Sequence, residues 1–586
     1  MHRHLRKNGT TFGLARIVLY ETSMTSKIDL LLVHSDDHMP VLAQGLEVGA
    51  AFDRPLPPSL PPPDWLWSES GHANDLPRQR WCVIAPLGEA GDRLLELLEP
   101  LMARRSEQQR ARAAVYRVPA HLTLDEAARW KRRYLRPEIG LDTDVARYQL
   151  VLGDLDQVPA SIQTVLATDG FVGRLAFDHE DDYRAYVHKV LAWEERPSSA
   201  LVGDAILHTV HDGSAAIASG HQGIMEPGCR LLRERRNLGE VQARDVREIG
   251  SRTQPHPDDL WAAADSDRPR VMLTLAHGEG APRPGWRSAA LQRRYQGAVS
   301  FGNGLRLTTD NVGGRAFLPG GVWFSLACFG AGTPAVSAYQ PWLGELTRLG
   351  HVGSDLGRVR DSLALGRPFI AALPKALLAN PYGPLAFIGH IDLAWSYSFA
   401  DIDDRPGHHR PGRFMEVIKS LLTHDRVGVA LRSVSRFLGE VSTELTSLDE
   451  SGHAASTRGR VRRAHLWMLR QDLAGYVLLG DPAVRLPLAS EDVMATAVPA
   501  PLSSMSTTLD LFPGAHVAPA AQTPASAPVL PLQPVPSIEQ LERAIGKVLS
   551  GSASRLVARE YGLEPDELER CVERYRTAGR AALRDP

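Results

Sequence analysis

RVMLTLAHGEG (270–280) and GVWFSLACFGAGTP (321–334) decide how this chain folds. In the first, five of the six residues before His277 are apolar. The run reads as a strand driven into a core, with the imidazole delivered where the chain emerges. The second run does the same for Cys328, and it is followed by Gly330, Ala331 and Gly332, residues small enough to let a substrate backbone come close. A thiol and an imidazole are therefore expected at one edge of one sheet. That combination suits thiol-based acyl transfer, which needs a thiolate nucleophile, a proton carrier for the leaving group, and backbone donors for a tetrahedral oxyanion. Cys328 is the candidate nucleophile and His277 the candidate acid and base. The amides of Gly278 and Cys328 are the candidate oxyanion donors, since a glycine after the histidine leaves that amide unobstructed. The competing reading is an inert core cysteine and a merely hydrogen-bonded strand-end histidine.

Outward from these two runs, the same alternation of apolar strands and amphipathic stretches extends from Ile28 to about Leu488. Strands are expected at 28–34 (IDLLLVH), 82–86, 148–154, 270–278, 321–330 and 383–390, and helices at 91–105, 124–134, 181–194, 411–422 and 459–473. Several strands are apolar on both faces, which suits parallel strands covered by helices on each side and places ligand-binding loops at their carboxyl ends. The expected fold class is α/β, a mostly parallel sheet sandwiched by helices.

Periodicity collapses between about 489 and 536, where VPAPLSSMSTT and HVAPAAQTPASAPVLPLQPVPS read as a Pro/Ala-rich linker. Beyond it, 537–549, 554–562 and 564–579 read as three short helices of a small all-α tail, with Gly562 as a helix stop and Pro565 in a first turn. Four units are expected: an N-terminal α/β region (1–145), a central domain (146–488), the linker (489–536) and the tail (537–586).

Composition narrows the function classes. The 586 residues are 43% apolar and 23% charged, and 66 Lys plus Arg against 68 Asp plus Glu leave a net charge of −2, so no global field favours nucleic acid or an anionic membrane. Four widely spread cysteines (Cys82, Cys229, Cys328, Cys571) make neither a disulfide framework nor a metal knuckle. Arg16 interrupts the apolar stretch near the N-terminus, and no run reaches about 18 apolar residues, so neither a signal peptide nor a spanning helix is expected. The expected location is the cytoplasm.

AHGEG (276–280) and ACFGAGTP (327–334) together resemble the His-Gly and Cys motifs of gingipain-type peptidases, relatives of caspases and of the CHAT proteases. The 51-residue interval from His277 to Cys328 is near the roughly 50 residues seen in caspases. VLGDLDQVPASIQ (151–163), DGFVGRLAF (169–177), DYRAYVHKVLAWE (182–194) and YVLLGDPAVRLP (476–487) are similar, in order, to further family segments, so the likeness spans about 145 to 487. It implies a caspase-like fold, peptide-bond cleavage by the dyad, protein or peptide substrates, no cofactor, and specificity set by the side chain before the scissile bond. The closer likeness is to intracellular bacterial caspase-like proteases, which resemble regulated effectors more than digestive enzymes, and bacterial defence effectors are among the substrates that this resemblance permits.

Asp392 and Trp395, after the 383–390 strand, are candidates for the specificity pocket, where an acidic wall would favour Arg or Lys. Asp212 is a comparable candidate. HTVHDGSAAIASGHQG (208–223) carries His208, His211, Asp212 and His221, all competent metal ligands, but their spacing matches no recognised set and a solvated loop with no metal is the expectation. His408 and His409 read as an exposed turn, and Cys82 and Cys229 as structural. The tail resembles a helix-turn-helix, yet residues 537–586 carry nine Lys/Arg and nine Asp/Glu, with Glu564, Asp566, Glu567 and Glu569 opening the would-be reading helix. DNA is disfavoured and a protein partner preferred. Three functions compete: a cysteine endopeptidase, a catalytically silent scaffold of the same fold, and a DNA-binding regulator.

Overall fold

The apolar runs assemble into a ten-stranded sheet. The computed structural model describes residues 27–47, 72–135, 145–196, 202–266, 268–350, 359, 362–399, 410–450 and 456–488, together with 544, 545, 547, 548, 557, 558, 568 and 570–572. We label the strands of the large sheet in chain order: β1 (Trp81–Pro86), β2 (Ala114–Val118), β3 (Tyr148–Leu152), β4 (Phe171–Leu175), β5 (Gly203–Thr209), β6 (Ala243–Ile249), β7 (Arg270–Leu275), β8 (Val322–Leu326), β9 (Ala386–His390) and β10 (Tyr476–Leu479). Their spatial order is β2-β1-β3-β4-β10-β9-β8-β7-β5-β6. Every neighbouring pair is parallel except β9 with β10. The sheet is thus two parallel halves running in opposite directions, so the carboxyl ends of β1 to β4 lie at the opposite edge from those of β5 and β7 to β9.

Helices cover both faces, as the continuous apolarity of the strands requires. In the first half the faces separate cleanly. Cys82, Ile84, Val151 and Val172 pack with Ala127, Trp130 and Ile162 from the helices Leu124–Tyr134 and Ala160–Leu166. The alternate residues Val83, Leu150 and Phe171 pack in the main core with Leu94, Leu98 and Val187 from the helices Glu89–Gln108 and Glu180–Glu195. The helix at 124 starts where expected because Thr123 and Glu126 form a reciprocal capping box. The edge strands β2 and β6 are the more exposed ones, which is how an open sheet keeps its edges from pairing with other chains.

The sheet continues across position 145, since β1 pairs with β2 on one side and with β3 on the other. Two compact units are resolved, Met1–Ala500 and Pro501–Pro586. In the second, Ala544, Ile545, Val557, Ala558, Leu568 and Val572 are helical and bury against one another. The expected linker and His408 and His409 lie outside the described residues.

Three expectations are corrected. IDLLLVH is not a strand of the large sheet: Leu32–His34 instead joins His277–Gly280, Val299–Gly302 and Leu305–Leu307 in a separate four-stranded sheet. The expected 270–278 strand therefore ends at Leu275, and His277 opens a different strand. The 208–223 stretch is not a solvated loop, for His208 and Thr209 close β5 and residues 215–225 are helical, leaving a short turn at 210–214. Among the described residues, no helix is long and apolar enough to cross a membrane.

Candidate active site

Four strand ends meet at one edge. β7 and β8 are parallel neighbours with Leu275 opposite Leu326, and His277 and Cys328 each lie two residues further on, so the 51-residue interval sets them at equal height. On the far side of β7, Thr209 of β5 stands opposite Leu275, and the turn after it carries Asp212 and Ser214. On the far side of β8, Gly389 of β9 stands opposite Ser325, and the segment after it carries Asp392 to Ser396.

The imidazole is held from one side. Ser214 Oγ donates to Asp212 Oδ1 at 2.7 Å, which leaves a hydroxyl lone pair to accept from His277 Nε2 at 2.9 Å. Asp212 Oδ2 stands 3.6 Å from the same nitrogen. With the Ser214 proton given to Asp212, that network favours the ring proton on Nε2, and Nδ1 is buried without a well-formed hydrogen bond. Burial lowers the pKa of His277, with Asp212 and then the Leu31 backbone opposing the shift.

The thiol sits at a forced turn. Phe329, the residue after Cys328, adopts φ 55, a left-handed conformation uncommon for a bulky residue, and its amide donates to the Asp392 carbonyl at 2.9 Å. Cys328 Sγ donates to the Ala394 carbonyl at 3.5 Å and accepts from the Ala394 amide at 3.2 Å. Burial pushes its pKa well above the ordinary thiol value. Burial thus disfavours the charged form of both members of the pair, where a sequence reading expects an imidazole-activated thiolate.

The edge where ligand-binding loops are expected is filled by the chain itself. The Leu31 carbonyl accepts from the amides of Gly278 at 2.9 Å and Cys328 at 3.2 Å, the two expected oxyanion donors. Upstream, the Leu31 amide donates to the Ala394 carbonyl at 3.3 Å, and the Ser396 amide donates to the Asp29 carbonyl at 3.3 Å. Downstream, Leu32, Val33 and His34 pair in parallel with Gly278, Glu279 and Gly280. Leu30, Leu31 and Leu32 are 1%, 2% and 0% exposed, and His277 and Cys328 are wholly buried.

The remaining expected residues have internal partners. The Asp392 carboxylate accepts from Ser337 Oγ at 2.9 Å and from the amides of Ala338 and Leu393, each at 2.8 Å. Trp395 turns its indole edge-on to Trp342, 5.3 Å away, and its backbone toward Leu30. The smallness of Gly332 serves the chain's own backbone, since a Cβ there would lie 2.7 Å from the Phe369 carbonyl. His208 is buried against Phe301, while His221 bonds Glu248 at 2.5 Å. Among the described residues, no group of three or more His, Cys, Asp or Glu is placed to hold a metal. Cys82 and Cys229 are buried with raised thiol pKa values.

Sequence reasoning misses Ser214, Leu31, Ala394 and Asp472. Asp472, on the helix Thr457–Ala474, fixes the segment after β9 by accepting from the Trp395 amide at 2.9 Å and Ser398 Oγ at 2.6 Å. Only the DG turn at 212–213, a helix-start pattern with Ser214 as its cap, gives a sequence signal for any of these.

No family model and no curated protein matches this sequence. Among solved structures, the chain is similar to the Arg-specific cysteine proteinase gingipain R (RgpB), with 12% identity and a TM-score of 0.41 over 72% of this chain and 80% of that one. It is similar to a structure described as a protease, with 12% identity and a TM-score of 0.40 over 69% and 78%. It is also similar to the complex of Porphyromonas gingivalis RgpB pro- and mature domains, with 12% identity and a TM-score of 0.37 over 69% and 79%.

Proposed function

We propose that this chain is a cysteine endopeptidase in which Cys328 and His277 cleave protein substrates through a thioester. The observation that supports this most is the convergence of the Gly278 and Cys328 amides on a single carbonyl oxygen beside the thiol. Two backbone donors aimed at one point are what a developing oxyanion needs, and they are fixed before any reaction begins.

In this reading His277 takes the thiol proton through Nδ1, the nitrogen without a well-formed hydrogen bond. The thiolate adds to the substrate carbonyl carbon, and the negative charge that moves to oxygen is met by the two amides. Collapse expels the amine, which takes the proton from His277, and water then releases the acyl group from sulfur by the reverse sequence. Asp212 and Ser214 are positioning residues that hold the ring and favour its protonated form between these steps.

The same site is read as a regulated effector of the cell interior, and the tail at 537–586 as a recruiter of a protein partner. A catalytically silent scaffold is the second reading, favoured by the burial of both dyad side chains. Cleavage of a peptide library by the full chain and by Cys328→Ala tests both. Thiol-dependent cleavage supports the peptidase. Cleavage that survives Cys328→Ala, or its absence once Cys328 is accessible to alkylation, sinks it.

A further inference from the structure

We infer that residues 28–34 occupy the cleft as a substrate would, and that the site accepts leucine or a similar apolar side chain immediately before the scissile bond. This rests on the cysteine-peptidase reading and extends it to specificity and control.

The argument is one of direction and register. Residues 29–31 run antiparallel to 394–396, tied by the Leu31 amide to Ala394 and by the Ser396 amide to Asp29, while the Asp29 amide donates to Ser396 Oγ at 3.2 Å. The next carbonyl, that of Leu31, is the one taken by the Gly278 and Cys328 amides. The chain then leaves along 278–280. A peptide read in this way has Leu31 before the bond to be cut and Leu32 after it. Main-chain bonds on both sides with one side chain buried at the centre are how a strand-adding peptide is recognised.

The chemistry of the pocket follows from what surrounds Leu31. Its side chain is 2% exposed within the apolar core that includes Ala394 and Trp395. The nearby carboxylates already have internal partners: Asp392 with Ser337, Asp212 with Ser214, and Glu279 with His38 at 2.9 Å and Arg306 at 3.2 Å. A cationic side chain at this position would have to draw one of these carboxylates away from its present partners, a penalty that an apolar side chain does not meet.

The covalent step balances on the chain's own groups. Sγ of Cys328 bonds to the Leu31 carbonyl carbon, the carbon–nitrogen bond to Leu32 breaks, and the proton from the thiol passes through His277 to the Leu32 amine. Water then converts the Leu31 thioester to a carboxylate and restores the thiol.

Three full-length chains test this: wild type, Leu31→Asp and Leu31→Met. The probes are iodoacetamide labelling of Cys328, intact mass for a cut between Leu31 and Leu32, and fluorogenic peptides ending Ile-Asp-Leu-Leu or Ile-Asp-Leu-Arg. Leu31→Asp should label at Cys328 at least about tenfold faster than wild type, whereas Leu31→Met stays slow. The Leu peptide should exceed the Arg peptide in kcat/KM by about tenfold or more. Leu31→Gly, which keeps the backbone and removes the side chain, serves where Leu31→Asp does not fold. Unchanged labelling across all variants overturns the occupancy. An Arg preference lost in Cys328→Ala overturns the specificity alone, and no turnover of either peptide by a freely labelled chain overturns the peptidase reading beneath it.

Discussion

Gly278 and Cys328 meet backbone to backbone: a Cβ built on Gly278 would lie 1.9 Å from the Cys328 carbonyl oxygen. The glycine after His277 is required by this approach of the β7 exit to the β8 exit, beyond leaving its own amide unobstructed. Gly278→Ala must push the two strand ends apart and separate the paired amides. Loss of one such donor lowers kcat by about 10²–10³-fold. Peptide turnover should fall by that order while the melting temperature moves much less, and an alanine variant with wild-type turnover would show that these amides do not act together.

Asp212 and Ser214 hold one nitrogen of His277 and leave the other free. Asp212→Asn removes the charge that opposes the lowering of the His277 pKa by burial. The titration of that imidazole, followed by NMR, should therefore move to lower pH than in wild type. Turnover should drop by roughly 10- to 100-fold in kcat with KM little changed, as for a residue that acts through the base rather than on substrate. A change confined to KM would place Asp212 in substrate binding, as the sequence alone suggests.

The meeting of His277 and Cys328 at one sheet edge is legible in sequence because two apolar strands announce their own ends, and parallel neighbours keep equal heights. Asp212 and Asp392 are legible as acids near that edge but not in their roles, because nothing in a sequence tells whether a carboxylate is already bonded to Ser214 or Ser337. The segment at 28–34 reads correctly as extended. Its partners are Ala394, Ser396, Gly278 and Gly280, hundreds of residues away, and its apolar pattern is the one a strand of the large sheet would carry. The polar edge strand β6, ARDVREI, has too little apolar content to announce itself.

His208 is buried and its pKa is pushed down to about 3, chiefly by loss of hydration. Above about pH 6.5 the folded and unfolded forms are both neutral and this group has no effect. As pH falls below that value the unfolded chain gains a proton that the folded chain refuses, so stability is lost progressively down to about pH 3, by up to about 1.4 kcal/mol per unit. His208→Leu should flatten the acid side of the melting-temperature profile between about pH 6.5 and 4. His277, also lowered, leaves a residual slope. An unaltered profile in the variant would mean that His208 takes a proton within the fold.

The tail is expected to contribute proximity rather than geometry. Its buried residues, Ala544, Ile545, Val557, Ala558, Leu568 and Val572, form an apolar cluster of their own. The stretch before it is rich in Pro and Ala. Deleting 537–586 should leave peptide turnover within a few-fold of full length while abolishing recruitment of a protein partner. Nine basic and nine acidic residues in that span leave few uncompensated cations for phosphates, so DNA binding by the isolated tail should be weak and lost at physiological salt. A collapse of turnover on deletion would show that the catalytic unit needs the tail, and tight, sequence-selective DNA binding would revive the regulator reading.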